Sequence, residues 1–317
     1  MTQNYQCKIC NNTQGHQLVL AREMMFGFRD EFLYFKCPVC GCLQIAEIPK
    51  DLSKYYPQNY YSYQQPPTVT NKKFKKAMKI LLVNAYMHGL RILRYAPYLK
   101  HFTSLEIFLL SILKDFSKKQ SILDIGCGAG GLLQKISEWG YLNLTGIDPF
   151  IKDDILYPSG VRILKQAINE HSGKHDLIML HHSFEHLPEP HNALENIHKI
   201  LNDDGILLIR IPVSDSFAYR KYLNNWYQLD APRHFFLHTT KSMSYLAKNN
   251  GFIIEDIVYD STEYQILYSE KYCRDIKLID EMKYSSVYVK ECVKLAKYLN
   301  KMKDGDQCCF VLKKTNL

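Results

Sequence analysis

The 317-residue chain contains no apolar run approaching the ~18 residues of a membrane span. Its start, MTQNYQCKIC, has no charged segment leading into an apolar one, so no secretory leader is expected and a reducing, cytoplasmic compartment is the default. No internal repeat is visible, and the length suits one large core with an accessory module. A strong excess of one charge is also missing. The net charge of +8 is modest and the basic residues are dispersed, apart from one cluster, NKKFKKAMK at 71–79. That cluster reads first as a solvated helix face, with RNA, anionic lipid or a phosphorylated substrate as functional alternatives.

Of the ten cysteines, six (Cys42, Cys127, Cys273, Cys292, Cys308, Cys309) lack ligand spacing and read as small buried side chains. The other four form two C-x-x-C pairs, Cys7/Cys10 and Cys37/Cys40, with 26 residues between them. Thiolates at that spacing suit tetrahedral zinc, and a module of residues 1–50 with almost no core of its own needs such a staple. A thioredoxin-like pair would be a single C-x-x-C beside a βαβ unit, which is not the context here. The zinc is expected to be structural. Whether the ribbon-like module meets nucleic acid, a partner or the neighbouring domain stays open.

Residues 51–119 read as a Tyr-, Gln- and Pro-rich connector followed by a helical lid. Apolar residues recur at Ile80, Leu81, Ala85, Leu90 and Leu93, then at Leu105, Phe108, Leu109, Ile112 and Leu113, and Pro97 divides them into two helices. Residues 120–317 alternate between strand and helix. SILDIG, NLTGID, VRILK, HDLIMLH and GILLIRIP suit buried parallel strands; FIIEDIVY and QCCFVLKK are two further strands with helical sequence between them. The expectation is an α/β, doubly wound, Rossmann-like sheet.

The stretch DIGCGAGG, residues 124–131, places Gly126, Gly128 and Gly131 at G-x-G-x-x-G spacing in a strand-to-helix turn. Glycines there let the backbone approach a ligand closely. Asp148 ends the next strand, where a ribose diol would be held. The glycines and Asp148 do not separate a nicotinamide from S-adenosylmethionine; Asp124 helps, since a pyrophosphate gains nothing from a carboxylate, whereas S-adenosylmethionine carries a sulfonium and an ammonium.

LDIGCGAGGLL, GIDP and HDLIMLHHSFEHLPEP together resemble the class I S-adenosylmethionine-dependent methyltransferases, over roughly residues 120–260. The resemblance implies that Asp124, Gly126, Gly128 and Gly130 surround the methionine part, that Asp148 holds the ribose, and that Pro149 and Phe150 border the adenine. Gln166 and Ala167 stand where the family often has an acid facing the adenine, and Ala167 and His181 complete the implied cofactor set. The family fold also puts the last strand antiparallel between the two before it.

Two segments are candidates for the chemistry. HHSFEHLPEP, residues 181–190, contains H-x-x-E-H as His182, Glu185 and His186. An inverted zinc-protease motif would need these residues within one helix, and here they bridge a strand end and a helix start. The resemblance extends to relatives that methylate phenolic quinone precursors and bind a divalent ion in this region, with an acid where His182 stands. NNWYQLDAPRHFFLHTT, residues 224–240, gathers Trp226, Tyr227, Asp230, Arg233, His234 and His238. D-x-P-R-H followed by H-T, with the C-x-x-C pairs and the Tyr-rich connector, resembles methyltransferases of bacterial surface-polysaccharide and modified-sugar pathways.

These readings give His234 as first-choice general base, with His186 second and Glu185 beside it, because imidazole can deprotonate a hydroxyl near neutral pH. Tyr227, Asp230, Arg233 and His238 are expected to bind substrate, Arg233 by gripping a phosphate or carboxylate with its donor fork. The plain alternative is an Asp230–Arg233 ion pair that pins the loop. The leading expectation is O-methylation of a sugar, nucleotide-linked or in a surface-glycan precursor. The rivals are C-methylation of a nucleotide-linked keto-sugar, an RNA methyltransferase gripping through the ribbon, and a non-enzymatic interaction protein. An N/D-P-P-Y motif is absent after the fourth strand, which speaks against base methylation.

Overall fold

The computed structural model describes residues 5–57 and 73–315. Most of the Tyr-rich connector and the first two residues of the basic cluster lie outside the described residues. The N-terminus forms strands β1 (Gln17–Arg22), β2 (Glu31–Lys36) and β3 (Leu43–Ile45). Helices α1 (Lys73–Met87) and α2 (Ser104–Leu113) follow, separated by 3-10 turns at Arg91–Tyr95 and Leu99–His101 that flank Pro97. Thr103 and Glu106 start α2 with a reciprocal capping box.

Strand and helix then alternate through β4 (Ser121–Ile125), α3 (Gly131–Glu138), β5 (Asn143–Ile147), the short β6 (Ile155–Leu156), β7 (Arg162–Leu164) and β8 (His175–His181). Next come α4 (Pro190–Ile200), β9 (Leu201–Pro212), α5 (Phe217–Tyr222), β10 (Phe236–Leu237) and α6 (Thr240–Asn249). The chain closes with β11 (Phe252–Tyr259), α7 (Tyr264–Cys273), α8 (Ser286–Lys301) and β12 (Gln307–Lys314).

Two compact units are formed, one of residues 59–179 and 200–205, the other of 1–58, 180–199 and 206–317. Their limits differ from the sequence boundaries at 50 and 119. The cysteine-bearing N-terminus groups with the second half of the chain, because its contacts are made there.

In the first unit β4 runs parallel to β5 and β8, β5 runs parallel to β7, and β6 pairs antiparallel with β7. Ile122, Leu123, Leu177 and Ile178 are fully buried, as expected for strands of a parallel sheet covered on both faces. In the second unit β12 lies antiparallel between β9 and β11, the arrangement the resemblance implies. The strand order β11-β12-β9-β8-β4-β5-β7-β6 is that of a doubly wound, Rossmann-like sheet.

The helices expected to form a lid make their side-chain contacts with the end of α3. Lys79 and Tyr98 both reach Glu138, Lys135 pairs with Glu106, and Phe102 packs on Trp139. A second sheet, β1-β2-β3-β10, was not expected in full. Its fourth strand comes from the middle of the 224–240 loop, where Phe236 pairs with Gln44 and Leu237 with Leu43. A two-residue strand carries no periodicity of its own; β3 supplies its partner.

Candidate functional site

In the first unit, β4 delivers the chain into a loop where Gly126, Gly128 and Gly130 take φ of 71°, 54° and 77°. Gly130 is needed twice over. Its φ is left-handed, and a Cβ there would stand 2.4 Å from Ile163 Cδ1. Helix α3 begins at the next residue, so its unpaired N–H groups face the same end as the loop. Asp148 accepts hydrogen bonds from the Gly128 N–H to Oδ2 and the Phe150 N–H to Oδ1, each 2.9 Å, which fixes its carboxylate against the loop. Burial raises its pKa, and those two N–H groups oppose the rise.

Asp124 is 3% exposed, opposite Gly146 of β5, and burial together with Asp148 pushes its carboxyl up to about 8. A cation is what such a pair of buried acids lacks. The donor set therefore fits the sulfonium and ammonium of S-adenosylmethionine and not a pyrophosphate. Pro149 and Phe150 are exposed beside it, Phe150 by 76%. Ala167 is half-buried, and its N–H already donates to Glu170 at 2.8 Å.

In the second unit, the chain leaving β8 turns at His182, whose φ is 52°, into a 3-10 turn over Phe184–His186. Glu185 is fully buried with His182 Nδ1 at 3.3 Å. Burial works against its ionisation, yet the imidazoles of 182, 186 and 234 hold its carboxyl at about 2. His181 has both ring nitrogens buried without a hydrogen-bond partner among the described residues, and burial takes its pKa down to about 3.

The 224–240 loop brings His234 to the same cluster. His234 Nδ1 is 2.7 Å from the Gln228 carbonyl, and His186 Nδ1 is 2.7 Å from the Arg233 carbonyl. A carbonyl only accepts, so each Nδ1 carries a hydrogen, and in the neutral ring it is Nε2 that keeps the lone pair. His234 Nε2 faces Glu185 Oε1 at 3.8 Å and Asp230 Oδ2 at 3.9 Å. The two rings are 4.8 Å apart. Glu185, His186 and His234 thus present one carboxylate and two imidazole lone pairs, a set able to take a proton or a divalent cation.

Two expected substrate residues are corrected. Arg233 is 0% exposed, and its fork is already engaged: Nη2 and Nε donate to Asp230 at 2.6 and 2.9 Å, and Nη2 also to Glu23 at 3.0 Å. Nη1 donates to the Tyr55 carbonyl at 3.3 Å, so the buried fork offers no face to a phosphate in solvent and pins the loop instead. His238 is likewise fully buried, 3.3 Å from Ser242 Oγ and against the rings of Phe184 and Phe236, and burial takes its pKa down to about 3. It is a core residue. Asp230 is the acid of the Arg233 pair, and Tyr227 is half-buried against Tyr268.

The four N-terminal cysteines converge. Cys7 and Cys40 Sγ are 3.5 Å apart, as are Cys10 and Cys37, and all four lie within 4.8 Å of one another. Zinc–sulfur bonds of about 2.3 Å in a tetrahedron need sulfurs about 3.8 Å apart, so the set fits that ion. Both knuckles fold alike, with the Asn11 N–H returning to the Cys7 carbonyl and the Gly41 N–H to the Cys37 carbonyl, each 2.9 Å. Glu23, the second carboxylate on Arg233, was not announced by the sequence; it sits in AREMM with no motif around it.

A family model described as a methyltransferase domain matches residues 98–257. The curated ubiquinone biosynthesis O-methyltransferase of Glaesserella parasuis serovar 5 (strain SH0165) is 31% identical over 110 residues, 30% of this chain and 45% of that protein. The chain therefore spans less than half the length of that relative. Among solved structures, the cyclopropane synthase MmaA2 from Mycobacterium tuberculosis is 20% identical with a TM-score of 0.44, covering 68% of this chain and 87% of its own. A SAM-dependent methyltransferase from Archaeoglobus fulgidus is 20% identical with a TM-score of 0.43, covering 74% and 99%.

Proposed function

The chain belongs to the methyltransferase-domain family, and as an S-adenosylmethionine-dependent methyltransferase we propose that it O-methylates a sugar hydroxyl, nucleotide-linked or in a surface-glycan precursor. The observation that carries the O-methylation reading is the setting of His234, with Nδ1 fixed by a carbonyl and Nε2 facing two carboxylates. A base in that setting is oriented beforehand, and the imidazolium it becomes is stabilised by the negative charge around it. The sugar is supported by the D-x-P-R-H and C-x-x-C pattern.

S-adenosylmethionine supplies an electrophilic methyl group when bound. Asp148 would hold the ribose, and Asp124 with Gly126 and Gly128 the methionine part. His234 would take the hydroxyl proton at Nε2, freeing the oxygen for the methyl group that the cofactor gives up as its S–CH3 bond breaks, with the neutral thioether as leaving group. Glu185 and Asp230 hold the proton there until solvent removes it. His186 is the second-choice base, and the four cysteines would hold a structural zinc.

The test is transfer of labelled methyl from S-adenosylmethionine to a panel of sugar nucleotides and lipid-free glycans, read by mass spectrometry. The reading predicts a methyl ether on a sugar oxygen. A methyl on carbon, or transfer to RNA alone, would overturn it.

A further inference from the structure

The sequence leaves the task of the N-terminal module open, and its contacts converge on one loop. Glu23, in the β1–β2 connection, is 0% exposed. Its carboxylate accepts the Phe26 N–H at 3.0 Å, the Phe28 N–H at 2.9 Å and Arg233 Nη2 at 3.0 Å. Arg233 in turn grips Asp230, the acid 3.9 Å from His234 Nε2, and its carbonyl fixes His186 Nδ1.

Four more attachments bracket the same loop. The Tyr34 hydroxyl donates to the His234 carbonyl at 2.8 Å, and the Ile45 N–H donates to the Phe235 carbonyl at 2.9 Å. β3 pairs with β10, and Thr239 Oγ1 donates to the carbonyl of Cys40 at 2.7 Å. A free ribbon would leave the β3 edge open to a partner. Here residues 236–237 occupy it.

We infer that Glu23 is a positioning residue for methyl transfer: through Arg233 it fixes Asp230 and both imidazoles, and the N-terminal module exists to hold that loop. This rests on the proposed imidazole base. The charge argument has a definite sign. Arg233 is shared by two carboxylates, Glu23 and Asp230. With Glu23 neutralised, the guanidinium is balanced by Asp230 alone, and the surroundings of the imidazoles become less negative. The positive charge that the base gains in the reaction is then less well compensated.

The test uses the full zinc-loaded chain with Glu23→Gln and Glu23→Asp. Glu23→Gln should lower kcat roughly tenfold and move the acid limb of the turnover–pH profile to lower pH, while zinc content and S-adenosylmethionine affinity hold. Glu23→Asp should recover part of the rate and return the limb towards its original position. Tyr34→Phe removes one hydroxyl from the same loop with less burden on folding, and should lower kcat with the cofactor affinity unchanged. An unmoved acid limb in Glu23→Gln overturns the inference; if that variant does not fold, unchanged kcat in Tyr34→Phe does. Loss of the base reading shows differently, as His234→Ala and His186→Ala variants that both turn over normally.

Discussion

His234 Nε2 and Glu185 Oε1 face each other across 3.8 Å, with the far nitrogen of the ring tied to the Gln228 carbonyl. The tie to the carbonyl orients the ring, so Nε2 is the atom left to act as base. His234→Ala should therefore keep cofactor affinity and lose about 10²- to 10⁴-fold in turnover. The pH dependence of turnover tests the second candidate. His186 is separable on that axis, since burial and the neighbouring His234 lower its pKa, and a limb set by His186 would fall below the ordinary imidazole value of ~6.5. Normal rates in His234→Ala with abolished rates in His186→Ala would transfer the role to His186.

Cofactor binding should depend on both Asp124 and Asp148, the acids beside the glycine loop. Asp148→Ala should cost about 1–3 kcal/mol in S-adenosylmethionine affinity by calorimetry. Asp124 adds a pH dependence. Its carboxyl, at about 8, is protonated below that value, and a cationic ligand must first drive the proton off. Affinity should rise with pH towards about 8 and then level, and Asp124→Asn should bind weakly with a flat profile. Tight binding of NAD, or a flat profile in the parent, would contradict this assignment.

Metal analysis should find one zinc per chain, lost when Cys7 and Cys37 are both replaced by Ser. The first unit contains none of the four cysteines, so S-adenosylmethionine binding should persist. Turnover should fall, because the loop bearing His234 has lost its scaffold. Zinc-free protein with the cysteines in disulfides would count against the site.

Arg233→Lys distinguishes a pin from a substrate grip. A grip would raise KM alone. A pin, being a fully buried guanidinium between two acids, should instead lower the melting temperature and kcat, with a stability loss of about 3–5 kcal/mol if one partner is left unpaired. Unchanged stability with a raised KM would restore the original expectation.

The sheet was legible because its strands are short, nearly continuous apolar runs: FIIEDIVY and QCCFVLKK became β11 and β12 with their expected limits. The glycine loop was legible because its constraint is local. Arg233 was not, since its second partner, Glu23, lies 210 residues away and no spacing rule connects them. His238 was misread for a related reason. An ionisable residue among aromatics gives the same pattern whether it faces a ligand or the core, and only the packing of Phe184, Phe236 and Ser242 around it decides.

The pairing of Leu43 and Gln44 with Leu237 and Phe236 ties an early-made strand to a late-made one. During synthesis β3 leaves the ribosome nearly two hundred residues before its partner, with backbone donors and acceptors exposed along an edge next to apolar side chains. Such an edge is a template for pairing with other chains. Fragments that stop short of residue 236 should accordingly be recovered as aggregates even when the first unit is complete, and a separately expressed N-terminal ribbon should share that fate. Dissection of this protein at the apparent boundary near residue 50 cuts through a sheet.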